Sequence, residues 1–155
     1  MITTIIILLL AWSLSSVIKE LGTSRYLVEL LSQSTPKIVL PAAIFMLGSF
    51  ISFSTGTSYG TMGILMPLAI PLANAVGIHG GLEGDALHAY MIVNISAVLT
   101  GAIFGDHCSP ISDTTILSSM GAGCNHIDHV QTQMPYALTV CAVSIFAGYF
   151  PVALG

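Results

Sequence analysis

Charged side chains are scarce in this sequence. Three Lys and Arg and seven Asp and Glu amount to 6% of its 155 residues, whereas a typical soluble domain has about 25%. So few charges cannot cover a water-facing surface, and the mean hydropathy of +0.90 points the same way. Three cations are also too few for the basic footprint of a nucleic-acid-binding protein. The composition therefore predicts a multi-pass protein of the cell membrane, with the lipid bilayer and not nucleic acid as its partner.

Cysteines are few as well. Cys108, Cys124 and Cys141 have none of the paired spacings of zinc ribbons or redox centres, so we interpret them as small buried side chains or free thiols. One alternative stays open, because Cys108 and Cys124 together with His126 and His129 supply a ligand set that zinc accepts. No nucleophile elbow, phosphate loop or HExxH motif is present. The sequence therefore predicts neither an enzyme nor a bound cofactor.

Long apolar runs occupy most of the chain. About 20 helical residues cross the hydrocarbon core of a bilayer, and the runs predict an all-α membrane fold. We expect single transmembrane helices over residues 2–18 and 134–154, a hairpin over residues 38–76, and a broken transmembrane helix over residues 88–123.

The predicted hairpin has two apolar halves around the polar stretch "SFSTGTSYGT". One interpretation is two full crossings joined by a tight turn, and the other is a re-entrant hairpin whose tip stops inside the membrane. Non-helical backbone at membrane depth occurs only where protein or a water-filled cavity receives it. A tip rich in hydroxyls, with glycines free to turn, suits that setting, so we favour the re-entrant hairpin.

The helix predicted over residues 88–123 is interrupted by "GDHCSPISDTT". Pro110 removes a backbone donor and disfavours helix at the residue before it. Gly101 and Gly105 are interpreted as loosening the chain ahead of this proline. We therefore expect the helix to break between Asp106 and Pro110.

Two carboxylates flank this predicted break. A charged side chain at the middle of a membrane costs about 2.5–3.5 kcal/mol, so Asp106 and Asp113 must face a cavity, an ion or a partner, or lie at an interface. Asp113 also resembles the N-cap of a second half-helix. Discontinuous helices with polar backbone at the midplane are typical of secondary transporters.

Hard cations prefer oxygen ligands, and both polar stretches are rich in oxygen. We therefore predict a site that binds either Na⁺ or a proton. Its candidate residues are Asp106 and Asp113 as ion and proton carriers, Ser54, Thr55, Thr57, Ser109 and Thr114 as oxygen ligands, and His107 as a candidate proton relay. Each residue also has an ordinary structural explanation, as a helix cap, an interfacial anchor, a packing residue or a turn residue.

Two long motifs carry a family resemblance. "STGTSYGTMGILMPLAIPLA" and "GAIFGDHCSPISDTTILSSMGAGCNHIDHVQTQMPYAL" resemble the C-terminal part of NhaC-type sodium/proton antiporters, and the likeness is clearest over residues 51–138. It implies a secondary active transporter that exchanges Na⁺ for H⁺ and carries no cofactor besides these transported ions.

The resemblance also implies an architecture. Such transporters are built from two inverted repeats, each with a re-entrant hairpin and a broken helix at the substrate site. The hairpin tip would map to residues 54–61 and the broken helix to residues 106–115. The chain is then expected to be a C-terminal part, whose site is completed by an N-terminal repeat or by another chain.

Two other functions stay open. Relatives of the NhaC type include exchangers of small carboxylates such as malate and lactate, and a helix N-terminus beside Thr114 suits an anionic group. The absence of Arg and Lys near either polar stretch argues against such a substrate. The second alternative is a non-transporting membrane subunit that pairs with the missing repeat.

Overall fold

The computed structural model describes residues 35–154 without a gap and, before them, only residues 9, 10, 13, 16, 17, 20–22, 26 and 29. The helix predicted over residues 2–18 therefore lies almost entirely outside the described residues. Within the described part every regular element is helical. The elements are α1 (Leu40–Thr55), α2 (Ser58–His79), α3 (Gly84–Cys108), α4 (Asp113–Gly121), α5 (His126–Val143), a π-helical turn (Ser144–Tyr149) and α6 (Phe150–Leu154).

The all-α membrane class is confirmed. Three helical stretches are long and apolar enough to cross a membrane, namely α2, α3 and the continuous stretch His126–Val152. The chain is therefore a multi-pass membrane protein.

The helices α1 and α2 form the predicted hairpin, and two residues separate them. Gly56 caps α1 in the left-handed conformation (φ 66°), which glycine adopts without steric cost. Thr57 starts α2, and its hydroxyl accepts a hydrogen bond from the Gly60 amide. The 16 residues of α1 fall short of the ~20 needed for a full crossing, whereas α2 has 22. A re-entrant arrangement stays a prediction.

A three-helix core places α3 parallel to α1 and antiparallel to α2. At one end, the Tyr90 hydroxyl donates to the Lys37 carbonyl at 2.8 Å, and Tyr90 also lies against Gly77 of α2. At the other end, Ser58 of α2 contacts Asp106 of α3. Apolar side chains from all three helices fill the space between these ends, among them Ile44, Phe45, Leu65, Leu72, Val76 and Val98.

Gly101 and Gly105 lie inside α3 at its contact with α1. A Cβ atom at Gly101 would stand 2.5 Å from the Phe45 carbonyl oxygen, and one at Gly105 would stand 2.5 Å from the Phe53 amide nitrogen. Small residues at helix interfaces in membranes let two backbones approach in this way. The expectation that these glycines loosen the chain is wrong, because α3 continues as a helix to Cys108.

The interruption of the long helix falls at residues 109–112, between the end of α3 and the start of α4. The last helix begins at His126, eight residues ahead of the predicted position 134, because the Asn125 side chain caps it by accepting from the Ile127 amide at 2.9 Å. Little of the stretch His126–Val152 is buried against the other described helices. The break therefore lies between a tightly packed core and a sparsely covered helix.

Candidate ion-binding site

Asp106 is the centre of the candidate site. It lies in the last turn of α3 and is only 7% exposed. Ser112 from the break donates a hydrogen bond to its Oδ1 at 2.6 Å, and Ser58 from α2 donates to its Oδ2 at 3.2 Å. Both oxygens of this one carboxylate therefore receive a hydroxyl donor, each from a different element.

The charge of Asp106 has no cationic partner among residues 35–154, where its only side-chain hydrogen bonds are those two. Lys37 is the single Lys or Arg in that range, and it donates to the Gly80 carbonyl at the opposite end of the bundle. A buried ionised carboxylate is costly unless a counter-charge or a proton accompanies it. The site is therefore suited to a cation or a proton.

A chain of hydroxyls connects Asp106 to the exterior of the described bundle. Ser112 Oγ and Thr114 Oγ1 are 2.7 Å apart. Because the Ser112 proton points to Asp106, Thr114 must be the donor of the second bond. Thr114 is exposed, so the chain runs from the outer face of α4 to the buried carboxylate.

Other hydroxyls satisfy the backbone at the break. Thr115, which is buried, donates to the carbonyl oxygens of Asp106 at 3.3 Å and His107 at 3.1 Å. The last carbonyls of a helix have no partner within it, so this side chain compensates the broken end of α3. Ser109 is fully buried and accepts from the Ile111 amide at 3.3 Å. The break is thus stabilised by its own sequence.

The hairpin tip packs directly on the break, since the parallel course of α1 and α3 brings both to one end of the bundle. A Cβ atom at Gly56 would stand 2.9 Å from Ile111 Cγ1 and 3.0 Å from the Ile111 carbonyl. The two polar stretches singled out from the sequence therefore meet in space.

We predict that Gly56→Ala lowers the free energy of unfolding by more than the cost of a left-handed alanine, because Gly56 packs against Ile111 in the break. An alanine at Gly56 or at Gly123 (φ 64°) must adopt the left-handed conformation, which costs about 1–2 kcal/mol. Only the alanine at Gly56 would also clash with Ile111, since nothing lies within 4 Å of a Cβ atom at Gly123. Overpacking adds about 1–3 kcal/mol. Thermal unfolding of both variants in detergent measures the difference, and equal losses would contradict the contact.

Three of the other candidate residues lie away from Asp106. The hydroxyls of Ser54 and Thr55 donate to carbonyls of their own helix at 2.8 and 2.9 Å, and both residues are exposed. His107 is exposed too, and its Nδ1 lies 2.9 Å from the Ile103 carbonyl. In the described part these residues point toward α1 or α3 backbone and not toward the carboxylate.

Asp113 and Thr57 occupy the starts of two helices. Ser112 is the N-cap of α4, so Asp113 lies one residue inside the helix, where it is exposed and where negative charge complements the helix dipole. Thr57 is the N-cap of α2, one residue before Ser58. Both lie next in sequence to a residue that contacts Asp106.

Sequence reasoning missed Ser58, Ser112 and Thr115 as members of the site. All three belong to the polar stretches that were singled out, but the sequence does not show which hydroxyls turn toward Asp106. Ser112 is the N-cap of α4, but its hydroxyl makes no capping hydrogen bond and donates to Asp106 instead, so its position in the sequence gave no signal of this contact.

The alternative zinc site is not assembled. His126 places its Nε2 at 2.7 Å from the Pro110 carbonyl and its Nδ1 at 3.1 Å from Ser119 Oγ, and Cys124 Sγ lies 3.6 Å from the Ser119 carbonyl. Among the residues that the structure describes, no three His, Cys, Asp or Glu side chains are grouped to hold a metal ion.

Sequence comparison shows which known proteins this chain is similar to. The chain is 47% identical over 148 residues to an uncharacterised protein of Haemophilus influenzae, covering 96% of this chain and 26% of that protein. It is 33% identical over 96 residues to an uncharacterised Na⁺/H⁺ antiporter of the same organism (62% of this chain, 18% of the relative). It is also 33% identical over 99 residues to the malate-2H⁺/Na⁺-lactate antiporter of Bacillus subtilis (64% and 19%).

The chain thus spans about a quarter or less of the length of these relatives. No solved structure matches it. The sequence profile of the Na⁺/H⁺ antiporter family matches residues 1–151, which is nearly the whole chain. This protein therefore belongs to the Na⁺/H⁺ antiporter family.

Proposed function

We propose that this chain carries part of the ion pathway of a Na⁺/H⁺ exchanger, with Asp106 as the group that binds Na⁺ and H⁺ in turn. The observation that supports it most is the buried carboxylate of Asp106, held by two hydroxyls and by no cation of the described residues. Its work is transport and not enzymatic catalysis, and it needs no cofactor beyond the ions that it moves.

The hydroxyl partners make Asp106 able to serve both ions. A serine hydroxyl rotates to donate or to accept. Toward the ionised carboxylate Ser58 and Ser112 donate. Each hydroxyl still has a lone pair for Na⁺, which prefers oxygen ligands, because Thr114 occupies only one of the two on Ser112. Toward the protonated carboxyl group one of them accepts instead. Na⁺ and H⁺ therefore compete for one group, and competition of this kind is the basis of exchange.

The remaining predicted ligands and carrier would act from the open side of the site. Asp113 and Thr114 are exposed on α4, and we propose that an N-terminal repeat or another chain covers them and completes the coordination. The chain's span of 26% of a 47%-identical relative leaves room for such a repeat. Ser54, Thr55 and Thr57 stay proposed oxygen ligands on this side, and Ser109 stays a proposed ligand from the buried interior of the break. His107 stays a proposed relay.

A second candidate is exchange of small carboxylates. The similarity to the malate-2H⁺/Na⁺-lactate antiporter of Bacillus subtilis supports it. The absence of any Arg or Lys from residues 38–155 argues against this candidate. Proteins often bind carboxylates through Arg side chains, which donate two parallel hydrogen bonds to the two oxygens.

Removal of one donor to Asp106 tests the proposed site. We expect Ser112→Ala to raise the Na⁺ concentration at half-maximal exchange on the order of 10- to 100-fold, the effect of losing a hydrogen bond to a charged group. The ionised carboxylate, which is the form that binds Na⁺, loses its 2.6 Å donor. Ser118→Ala is the control, since its hydroxyl is exposed and, in the part of the chain that the structure describes, donates only to the Thr114 carbonyl. Equal effects of the two variants would exclude the role of Ser112.

The function itself is tested in vesicles that contain the chain and, where its gene continues beyond these residues, the whole gene product. An internal pH dye reports proton movement after NaCl is added, with and without malate. A response to NaCl alone supports Na⁺/H⁺ exchange. A response that requires malate favours the carboxylate exchanger, and silence of every form would overturn both.

A further inference from the structure

We propose that a pocket between α1, α3 and α5 is a binding site for a soft metal ion, Cu(I), with Cys108 and Cys141 as its principal ligands. The pocket has a volume of about 270 Å³, and both cysteines line it. It is distinct from the site of Asp106, whose carboxylate receives its hydrogen bonds from α2 and from the break. The inference does not rest on the proposed function.

Sulfur is concentrated in this pocket. The chain has three Cys and seven Met among its 155 residues, yet four of the nine described residues that line the pocket carry sulfur. These four are Met46 of α1, Cys108 of α3, and Met134 and Cys141 of α5. The grouping is far denser than this composition alone supplies, and it draws on three different helices.

The fold turns both thiols toward one space. Cys108 is the last residue of α3 and is 3% exposed, and Cys141 is 9% exposed. Neither is part of a disulfide, and the two are near enough for their charges to interact. Met134 precedes Cys141 by seven residues, or two turns, which places both on the same face of α5. One ion in the pocket can therefore reach ligands from more than one helix.

The ligand set selects a soft ion. Thiolate and thioether sulfur favour Cu(I), whereas structural zinc sites take four ligands from Cys, His, Asp and Glu, of which the described lining has only two. Na⁺ prefers oxygen. Ser49 is the only described lining residue with a side-chain oxygen, and its hydroxyl already donates to the Phe45 carbonyl at 2.7 Å.

A single charge suits this pocket as well. None of the described residues that line it is a Lys, Arg, Asp or Glu, and an uncompensated charge is costly in apolar surroundings. A thiol that binds a metal releases its proton to solvent, so one thiolate cancels the charge of Cu⁺, and lone pairs of the other sulfurs complete the coordination. No electron is transferred. Met46 is 52% exposed and lies on the open side, where an ion enters.

A titration with Cu(I) tests the site on the purified full-length protein in detergent. A chromophoric Cu(I) chelator competes for the ion, and a reductant without thiols keeps it reduced. We expect the double variant Cys108→Ala, Cys141→Ala to bind one Cu(I) fewer per chain than the wild type. Cys124→Ala is the matched control and should bind as the wild type does, since Cys124 is exposed and lies outside the pocket lining.

Equal binding by the wild type and the double variant, or a loss in Cys124→Ala instead, would overturn the proposal. If the double variant does not fold, Met46→Leu together with Met134→Leu decides, because leucine nearly keeps the volume of methionine. The affinity for Cu(I) should then fall on the order of 10- to 100-fold, as it does when even an outer-shell partner of a metal is lost. An unchanged affinity would exclude the thioethers and with them this pocket. A wild type that retains Zn²⁺ and not Cu(I) would also contradict the assignment.

Discussion

Asp106→Asn is expected to reduce Na⁺-driven proton movement to the level of empty vesicles. The amide has nearly the same shape, but it neither binds a proton nor balances the charge of Na⁺. It also brings an NH₂ group into a pocket where Ser58 and Ser112 both donate, so at least one hydroxyl must turn away. The dye assay described above measures the rate, and immunoblots of the membrane fraction measure the amount of protein.

Asp85→Asn is the matched control for this change. Asp85 is exposed in the first turn of the same helix, at its opposite end, so its loss should leave exchange at the wild-type rate. Asp113→Asn should behave like Asp106→Asn if Asp113 is the second carrier. Exchange at the wild-type rate in Asp106→Asn would exclude this carboxylate as the ion-binding group.

Gly105→Ala is expected to cause the largest loss of stability of any glycine-to-alanine change within the described helices. The new Cβ atom would lie 2.5 Å from both the Phe53 amide nitrogen and Ser52 Cβ, and closer still to the Ser49 carbonyl oxygen. Backbone atoms cannot rotate away as a side chain does, so α1 and α3 must separate. Overpacking costs about 1–3 kcal/mol, and we expect about 3 kcal/mol here.

Gly121→Ala provides the comparison, because it adds the same methyl group near the end of α4 with nothing within 4 Å. There the alanine should be neutral or stabilise by up to about 1 kcal/mol, since glycine is the poorer helix former. Both variants are compared by thermal unfolding in detergent micelles. A Gly105→Ala protein as stable as Gly121→Ala would show that α1 and α3 do not approach as closely as described.

The sequence was a good guide to the elements of this fold. Composition and apolar runs predicted an all-α membrane protein, and Pro110 together with the hydroxyl-rich stretches marked where helices end. The helix starts were less accurate, since α5 begins at His126 within a polar stretch. Polar residues there form a helix because Asn125 caps it, and hydropathy alone does not register a cap.

The site was only partly predictable for a geometric reason. A sequence shows that Ser54, Thr55, Ser58 and Ser112 are hydroxyls, but the helix phase decides which ones face Asp106. Ser54 and Thr55 fall on a turn of α1 where the nearest acceptor is their own backbone. Ser58 begins the next helix and turns inward. Gly101 and Gly105 were misinterpreted for a related reason, because the residues of α1 that they contact are 52 to 56 residues away in sequence.

The contact of Tyr90 with Lys37 and Gly77 lies at the end of the bundle opposite to Asp106. A small rotation of α2 about this end therefore displaces the far end of the helix, where Ser58 lies, by a larger distance. From Gly77 to Ser58, α2 spans 19 residues, or about 28 Å at 1.5 Å per residue. A tilt of about 4° around the Tyr90 end therefore moves the Ser58 hydroxyl by about 2 Å over that length. Such a displacement is enough to break its 3.2 Å hydrogen bond to Asp106, so a small angular change at the Tyr90 end of the bundle would remove one of the two hydroxyl donors of Asp106 at the other end.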